Sequence, residues 1–331
     1  MKKSWQVTPF ELRFINKCDT PVTTKQEKSC HFFLSIRALR RATLTRLVFT
    51  ILLLAGITPF SASSVYPQQG LQSANDPANK HFLNVSYGGQ YLEITSDTDN
   101  PLATCWNSDG TLFFITGRYS NNVAMYALTK PWEINSAEFV MAVEIPGKNQ
   151  HGLYIRDDGQ KMWVFDRTSI WTFTLDSPWD LSTMSKGVNT DYSHFVIRGH
   201  DIDFKPDGTI LFIDDRDAEA IFEVTLSTPW EVSSGMLTYT LDINDQQEEL
   251  RGIEFLYDGK IMMLLDTKRN EVLQYNLQTP WKISTATFFG TFNISNETQQ
   301  GRGLSFSADE SKMYVTGRDE KRVFQYELKT E

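Results

Sequence analysis

The 331-residue sequence predicts an all-β fold: a five-bladed β-propeller of four-stranded antiparallel blades over residues 81–331, its last blade closed by the N-terminal strand. Three observations predict it. The phrases "LTKPWEINSAEF", "LDSPWDLSTMSK", "LSTPWEVSSGML" and "LQTPWKISTATF" place Pro-Trp at Pro131, Pro178, Pro229 and Pro280, at spacings of 47, 51 and 51. An earlier anchor, Asp109, Asp158, Asp207, Asp258 and Asp309, occurs five times at spacings of 49, 49, 51 and 51. Between the anchors Phe, Tyr, Val, Ile and Leu dominate with almost no helical period. Four short strands in about fifty residues is the pattern of a propeller blade.

Each unit reads in the same order. A short apolar strand such as 252–257 comes first. An Asp-Gly turn follows, where glycine supplies the positive φ of a tight hairpin. A second apolar strand such as 209–215 leads through a polar turn to an alternating third, such as 220–226. Then come Pro-Trp and a fourth strand, such as 236–243. The fifth unit reaches Glu331 without a Pro-Trp or a fourth strand. The N-terminal piece 81–101 is similar to the fourth-strand region 286–300 and is expected to supply it, leaving no unpaired inner edge.

The Pro-Trp phrase, with Gly-[Leu/Ile]-x-Phe-x-x-Asp-Gly upstream, resembles a propeller repeat of secreted and phage-associated bacterial proteins, and is loosely similar to the YVTN and NHL repeats. The resemblance spans about 250 residues. It implies architecture and carries no catalytic motif, because most of those proteins lack an assigned activity.

A residue that recurs in every unit is expected to be structural. Trp132, Trp179, Trp230 and Trp281 are therefore read as pegs covering the outer hairpin, away from the channel, rather than as ligand platforms. Asp166, Asp215 and Asp266, with glycine at 117 and 317, read as turn chemistry beside Arg118, Arg167, Arg216 and Arg318. A site is sought where the units differ. Along the innermost strands one row is small (Ala103, Gly152, Gly252, Gly303) and broken by Asp201. The row two residues on reads Cys105, Tyr154, Asp203, Glu254, Ser305. The residues before the strand read Leu102, His151, His200, Arg251, Arg302.

One channel mouth is thus expected to carry His151, His200, Arg251 and Arg302, with Tyr154 nearby, as ligand-binding candidates. Asp201, Asp203 and Glu254 lie behind them. Buried carboxylates need partners, so the plain reading is a salt-bridge plug between these acids and the two arginines. The leading functional reading is a non-enzymatic binding scaffold, a monomer, whose partner is a protein, a glycan or an envelope component. Its rivals are a glycosidase- or lactonase-like hydrolase using Asp201, Asp203 and Glu254, and a structural part of an envelope or particle assembly. No cofactor is expected; a weak Ca²⁺ option rests on Asp201 and Asp203.

Residues 1–64 hold ten Lys/Arg against three Asp/Glu, and the remainder 22 against 38. So acidic a body argues against nucleic acid, whose phosphates need clustered cations. Only Cys105 lies in the body, which excludes a disulfide within it. Residues 47–60, "LVFTILLLAGITPF", follow four arginines and precede "SASS", the layout of an export signal. The run is short of the roughly twenty residues of a spanning helix. Periplasmic or extracellular export is expected; the alternative is a membrane anchor through 47–60. Residues 65–80 read as a linker, and the long lead before the signal suggests a true start near Leu34 or Leu39.

Overall fold

A computed structural model describes residues 85–94, 98–243 and 245–328. The extension and apolar run within 1–64 and the linker 65–80 lie outside the described residues. The described residues all belong to one compact unit, Gln69–Glu331. Among them no helix is long and apolar enough to cross a membrane.

The strands form five four-stranded antiparallel sheets. β1 (Val85–Glu93) precedes the first blade, which holds β2 (Pro101–Trp106), β3 (Leu112–Gly117), β4 (Asn122–Leu128) and β5 (Ala137–Glu144). The second holds β6 (Leu153–Ile155), β7 (Lys161–Phe165), β8 (Ser169–Thr174) and β9 (Val188–Asp191). The third holds β10 (Gly199–Phe204), β11 (Ile210–Asp215), β12 (Ala220–Leu226) and β13 (Gly235–Asp242). The fourth holds β14 (Leu250–Leu256), β15 (Ile261–Asp266), β16 (Glu271–Leu277) and β17 (Ala286–Asn293). The fifth holds β18 (Gly301–Phe306), β19 (Lys312–Gly317) and β20 (Arg322–Leu328). Its outer strand is β1, paired antiparallel to β20 from Val85↔Leu328 to Glu93↔Arg322. The N-terminal strand closes the ring, as the missing fourth strand of the last unit predicted.

The core lies in the seams between blades. Each of five apolar clusters joins two neighbouring blades; one packs Trp163 and Phe165 of the second against Ile202, Phe204 and Leu211 of the third. The inner strands are buried nearly throughout, whereas the fourth strands alternate, as in β17, whose Thr287, Phe289, Thr291 and Asn293 are exposed or nearly so. Apolar burial on both faces of the inner strands holds the blades to one another, so no blade carries a complete core of its own.

The Asp-Gly turns hold themselves. The carboxylates of Asp109, Asp158, Asp207 and Asp309 accept the backbone N–H two residues on, at 2.9–3.0 Å. These bonds help keep all four carboxyls below their ordinary range, Asp207 at about 2 with Lys205 beside it. Asp215 ties down the turn after β11. One oxygen accepts from the N–H groups of Asp217 and Ala218, the other from those of Ile197 and Arg198 in the loop before β10, at 2.6–2.9 Å.

The recurring tryptophans are structural, but not where the sequence placed them. Each has a positive φ, 63–65°. Each backbone N–H donates to the carbonyl of the turn glycine of its own blade: Trp132 to Gly110, Trp179 to Gly159, Trp230 to Gly208 and Trp281 to Gly259, at 2.9–3.0 Å. The Pro-Trp loop therefore folds back across the blade instead of covering its outer hairpin. The indole lies on the glycine and wedges into the seam with the preceding blade. Trp230 sits 5.5 Å from Phe204 of its own blade and 5.6 Å from Trp163 of the one before. A Cβ on any of the four glycines would come within 2.2–2.4 Å of the ring. The fifth blade has no Pro-Trp within its described residues, and the glycine position holds Glu310 at φ 57°.

Candidate functional site

The first strands of the blades, β2, β6, β10, β14 and β18, pack against one another in sequence around the axis. The small row brings them together. A Cβ on Gly303 would lie 2.2 Å from the carbonyl oxygen of Leu102, and one on Gly152 3.0 Å from the Cα of Asp201. This constriction, with the Asp201 side chain in it, separates two mouths of different chemistry.

The mouth on the Asp-Gly side is a cavity of about 220 Å³. Its layer nearest the constriction is the row read from the sequence: Cys105, Tyr154, Asp203, Glu254 and Ser305 all line it. Above that layer stand Trp106, Phe204, Phe255 and Phe306, then Asp157 and the indoles of Trp132 and Trp281. The carboxylates are Asp157, Asp201, Asp203 and Glu254, and no lysine, arginine or histidine lines the space. Asp203 is fixed: Oδ1 accepts from Phe204 N–H (2.7 Å) and Oδ2 from Phe255 N–H of the next blade (3.0 Å). The Glu254 carboxylate makes no hydrogen bond among the described residues, nor does the Tyr154 hydroxyl. Ser305 accepts from Trp106 Nε1 at 3.2 Å and lies 2.8 Å from the Thr104 hydroxyl.

Burial without a counter-ion pushes the acids up. Asp203 rises to about 7, against the pull of its two N–H donors. Glu254 rises well above its ordinary range, first through burial and then through Asp203 and Asp201. Asp201 does the same through burial and Asp214. A buried site without a counter-ion favours the protonated form of each of these carboxyls, and Asp203, at about 7, is divided between its two forms at neutral pH. Burial also lifts the Cys105 thiol to about 12, so it stays protonated and is no nucleophile. Among the described residues no three His, Cys, Asp or Glu side chains group as metal ligands.

The other mouth carries His151, His200, Arg251 and Arg302, all buried. The expected plug is absent here. Arg251 does not reach Asp201, Asp203 or Glu254; its Nε and Nη2 both bond Glu249 Oε1. Arg302 Nη1 lies 3.4 Å from the same oxygen, and its Nη2 donates to Gln300 (2.5 Å). Strand geometry is the reason. Arg251 and Glu254 are three residues apart, about 10 Å at roughly 3.3 Å per residue, with the constriction between them. Tyr154, grouped with these cations in the sequence reading, belongs to the acidic mouth.

The His151 and His200 rings meet edge to face, centroids 4.4 Å apart. Burial and then Arg167 hold His151 down to about 2, and burial and then His151 hold His200 well below its ordinary value. Both are neutral.

Asp214, in β11, was not singled out in the sequence. It is fully buried, and Oδ1 accepts from His200 N–H (2.8 Å) and Asp201 N–H (2.6 Å) at a bulge of β10. Burial pushes its carboxyl up to about 7. The signal was there: the other units hold Thr116, Phe165, Leu265 and Thr316 at this place. Glu249 carried a similar signal: the other units hold Asn100, Asn149, Arg198 and Gln300 at its place, so it is the one acid of that row.

No model of a known protein family matches the chain, and no curated protein matches it. Among solved structures it is similar to a functionally unknown protein from Desulfotomaculum acetoxidans (14% identity, 66% of this chain and 63% of that one, TM-score 0.40). It is also similar to two candidate 6-phosphogluconolactonases. The Bacteroides fragilis protein is 15% identical over 67% of this chain and 65% of that one, TM-score 0.44. The Bacteroides uniformis protein is 14% identical over 69% and 68%, TM-score 0.44. The chain thus spans a little under two thirds of the first two structures' length. Likeness at this level concerns the fold alone, and the fold hosts many unrelated functions.

Proposed function

We propose that the protein is an exported binding propeller that holds a small organic cation, an amine or quaternary ammonium group, in its acidic mouth. The observation that carries this is a cavity with four lining carboxylates, no lining base, and walls of Trp106, Tyr154, Phe204, Phe255 and Trp281. Aromatic faces attract an ammonium group, and a desolvated site strengthens the attraction. A cation supplies the missing counter-charge, and Glu254, free of hydrogen bonds, is the carboxylate able to turn towards it. The volume, below the roughly 300–1,000 Å³ of drug-sized sites, suits a small group or the tip of a larger one. Export rests on the arginine-flanked apolar run at 47–60.

Hydrolysis is the less favoured reading. It needs one carboxyl as acid and another as base or nucleophile. Asp203 has both oxygens taken by backbone N–H groups, and Asp201 is held in the constriction, which leaves Glu254 alone of the three acids that reading needs.

Titration calorimetry at pH 8 with tetramethylammonium chloride, and with glucose as a neutral control, tests the proposal. Tetramethylammonium is expected to bind the wild-type protein and to bind Glu254→Gln at least tenfold more weakly, with glucose inert. Binding of glucose without binding of the cation would refute the proposal and make the mouth a sugar site.

A further inference from the structure

The opposite mouth has the reverse imbalance. Arg118, Arg167, Arg216 and Arg318 follow the second strand in four of the five blades, and Arg251 and Arg302 join them from the inner strands. Three of these guanidiniums converge on a single carboxylate oxygen, Glu249 Oε1, with Arg216 Nη1 at 3.8 Å. Two others are held by neutral acceptors: Arg118 Nε by Asn149 Oδ1 (3.1 Å) and Arg167 Nε by His151 Nε2 (3.2 Å). The turn acids balance only part of this charge: Arg318 Nε pairs with Asp319 Oδ1 at 2.7 Å, which leaves Arg318 out of the set that faces the mouth unpaired. Asp215 gives both oxygens to backbone N–H groups, and Asp217 is divided between Arg198 and Arg216 at 3.4 and 3.5 Å.

One buried charged donor in this mouth has no partner among the described residues: Nε of Arg302, a residue 7% exposed. The neutral His200 gives its Nδ1 proton to the Arg198 carbonyl (3.2 Å), so its Nε2 is an acceptor and takes no part in holding an anion. A buried charged donor left unmade is costly unless something fills it. The arginines also repel one another: Arg251 and Arg318 both lower Arg302, which stands at about 10, burial being the larger cause. A mouth built this way is incomplete without an anion, and planar guanidinium forks suit oxyanions best.

We propose that this mouth is a second binding site, for an oxyanion group, a phosphate or a carboxylate, held by Arg167, Arg216, Arg251 and Arg302. It is independent of the cation site, because the constriction at Gly152, Asp201 and Gly303 lies between them. The two mouths would then take groups of opposite charge on opposite faces of one ring.

The test is calorimetry and thermal unfolding of the full chain with inorganic phosphate, with citrate, and with sodium chloride at matched ionic strength. Phosphate or citrate is expected to bind and to raise the unfolding temperature beyond the chloride control; whichever binds more tightly identifies the source of the oxyanion. Arg216→Gln, chosen because this side chain is partly exposed, should weaken binding at least tenfold while unfolding normally in chloride. Arg167→Gln serves as a second variant should the first fold poorly. Equal stabilisation by chloride, or binding unchanged in the folded variants, would overturn the proposal. Neither result bears on tetramethylammonium at the other mouth.

Discussion

Gly208→Ala is expected to destabilise the protein by about 3–5 kcal/mol, whereas Glu310→Ala, at the equivalent place in the fifth blade, costs about 1 kcal/mol. Gly208 has φ 70°, and its added Cβ would lie 2.4 Å from the Trp230 indole. The left-handed conformation alone costs an L-residue roughly 1–2 kcal/mol. The rest comes from expelling the indole from its seam with Phe204, Trp163 and Tyr154. Glu310 already holds the left-handed conformation without glycine, and no indole of its own blade lies over it among the described residues. It loses only the bond its carboxylate accepts from Tyr257 N–H, at 2.6 Å. A double-mutant cycle sharpens the claim. In a Trp230→Ala background, Gly208→Ala should cost only its backbone share, because the ring it would strike is gone. Chemical denaturation of the four proteins measures this; additive losses would show that the glycine and tryptophan do not act together.

Asp214 is the second large lever. Asp214→Ala strands the N–H groups of His200 and Asp201 in a buried bulge, at about 1–3 kcal/mol for each lost acceptor. Asp214→Asn keeps an acceptor oxygen and removes the charge, so its effect depends on pH. The folded carboxyl titrates at about 7 against an ordinary 3.8. A carboxyl raised in the folded state contributes stability that is fully present below pH 3.8 and lost as pH rises to 7. The wild type should therefore lose ground to Asp214→Asn across that window by up to roughly 4 kcal/mol, at about 1.4 kcal/mol per pH unit, and the difference should be level above pH 8. Both proteins retain His151 and His200, whose acid liability cancels in the comparison. Denaturation midpoints from pH 4 to 9 give the curve; a difference that does not change with pH would mean Asp214 is ionised in the fold.

The repeat made the architecture legible because each unit repeats the same turn chemistry and the same apolar seams. The five anchors counted the blades, and the fifth unit's shortfall located β1. The inner layer from Cys105 to Ser305 was also legible, since strand alternation places equivalent residues at one height. Pairing across that layer was not. The expected bonds from Arg251 and Arg302 to the three acids ignored the rise along a strand and the closure made by Gly152 and Gly303. Glu249 escaped notice because the comparison stopped at the residue just before each inner strand, although the row two residues earlier (Asn100, Asn149, Arg198, Glu249, Gln300) is also in register. The tryptophans were recognised as structural from their recurrence, but no pattern showed the positive φ that turns each indole inward, and two of them to the cavity wall.

The central functional claim is that the acidic mouth holds its protons only until a cation replaces them. The most direct measurement is tetramethylammonium calorimetry from pH 5.5 to 8.5 in buffers of different ionisation enthalpy. With Asp203 titrating at about 7, binding should release protons below that pH. Affinity should climb up to about tenfold per pH unit and proton released, and the climb should continue beyond pH 7, because Glu254, the carboxylate that meets the cation, is held further above its ordinary range by burial and by Asp203. Affinity that does not vary with pH, with no proton released, would contradict the account.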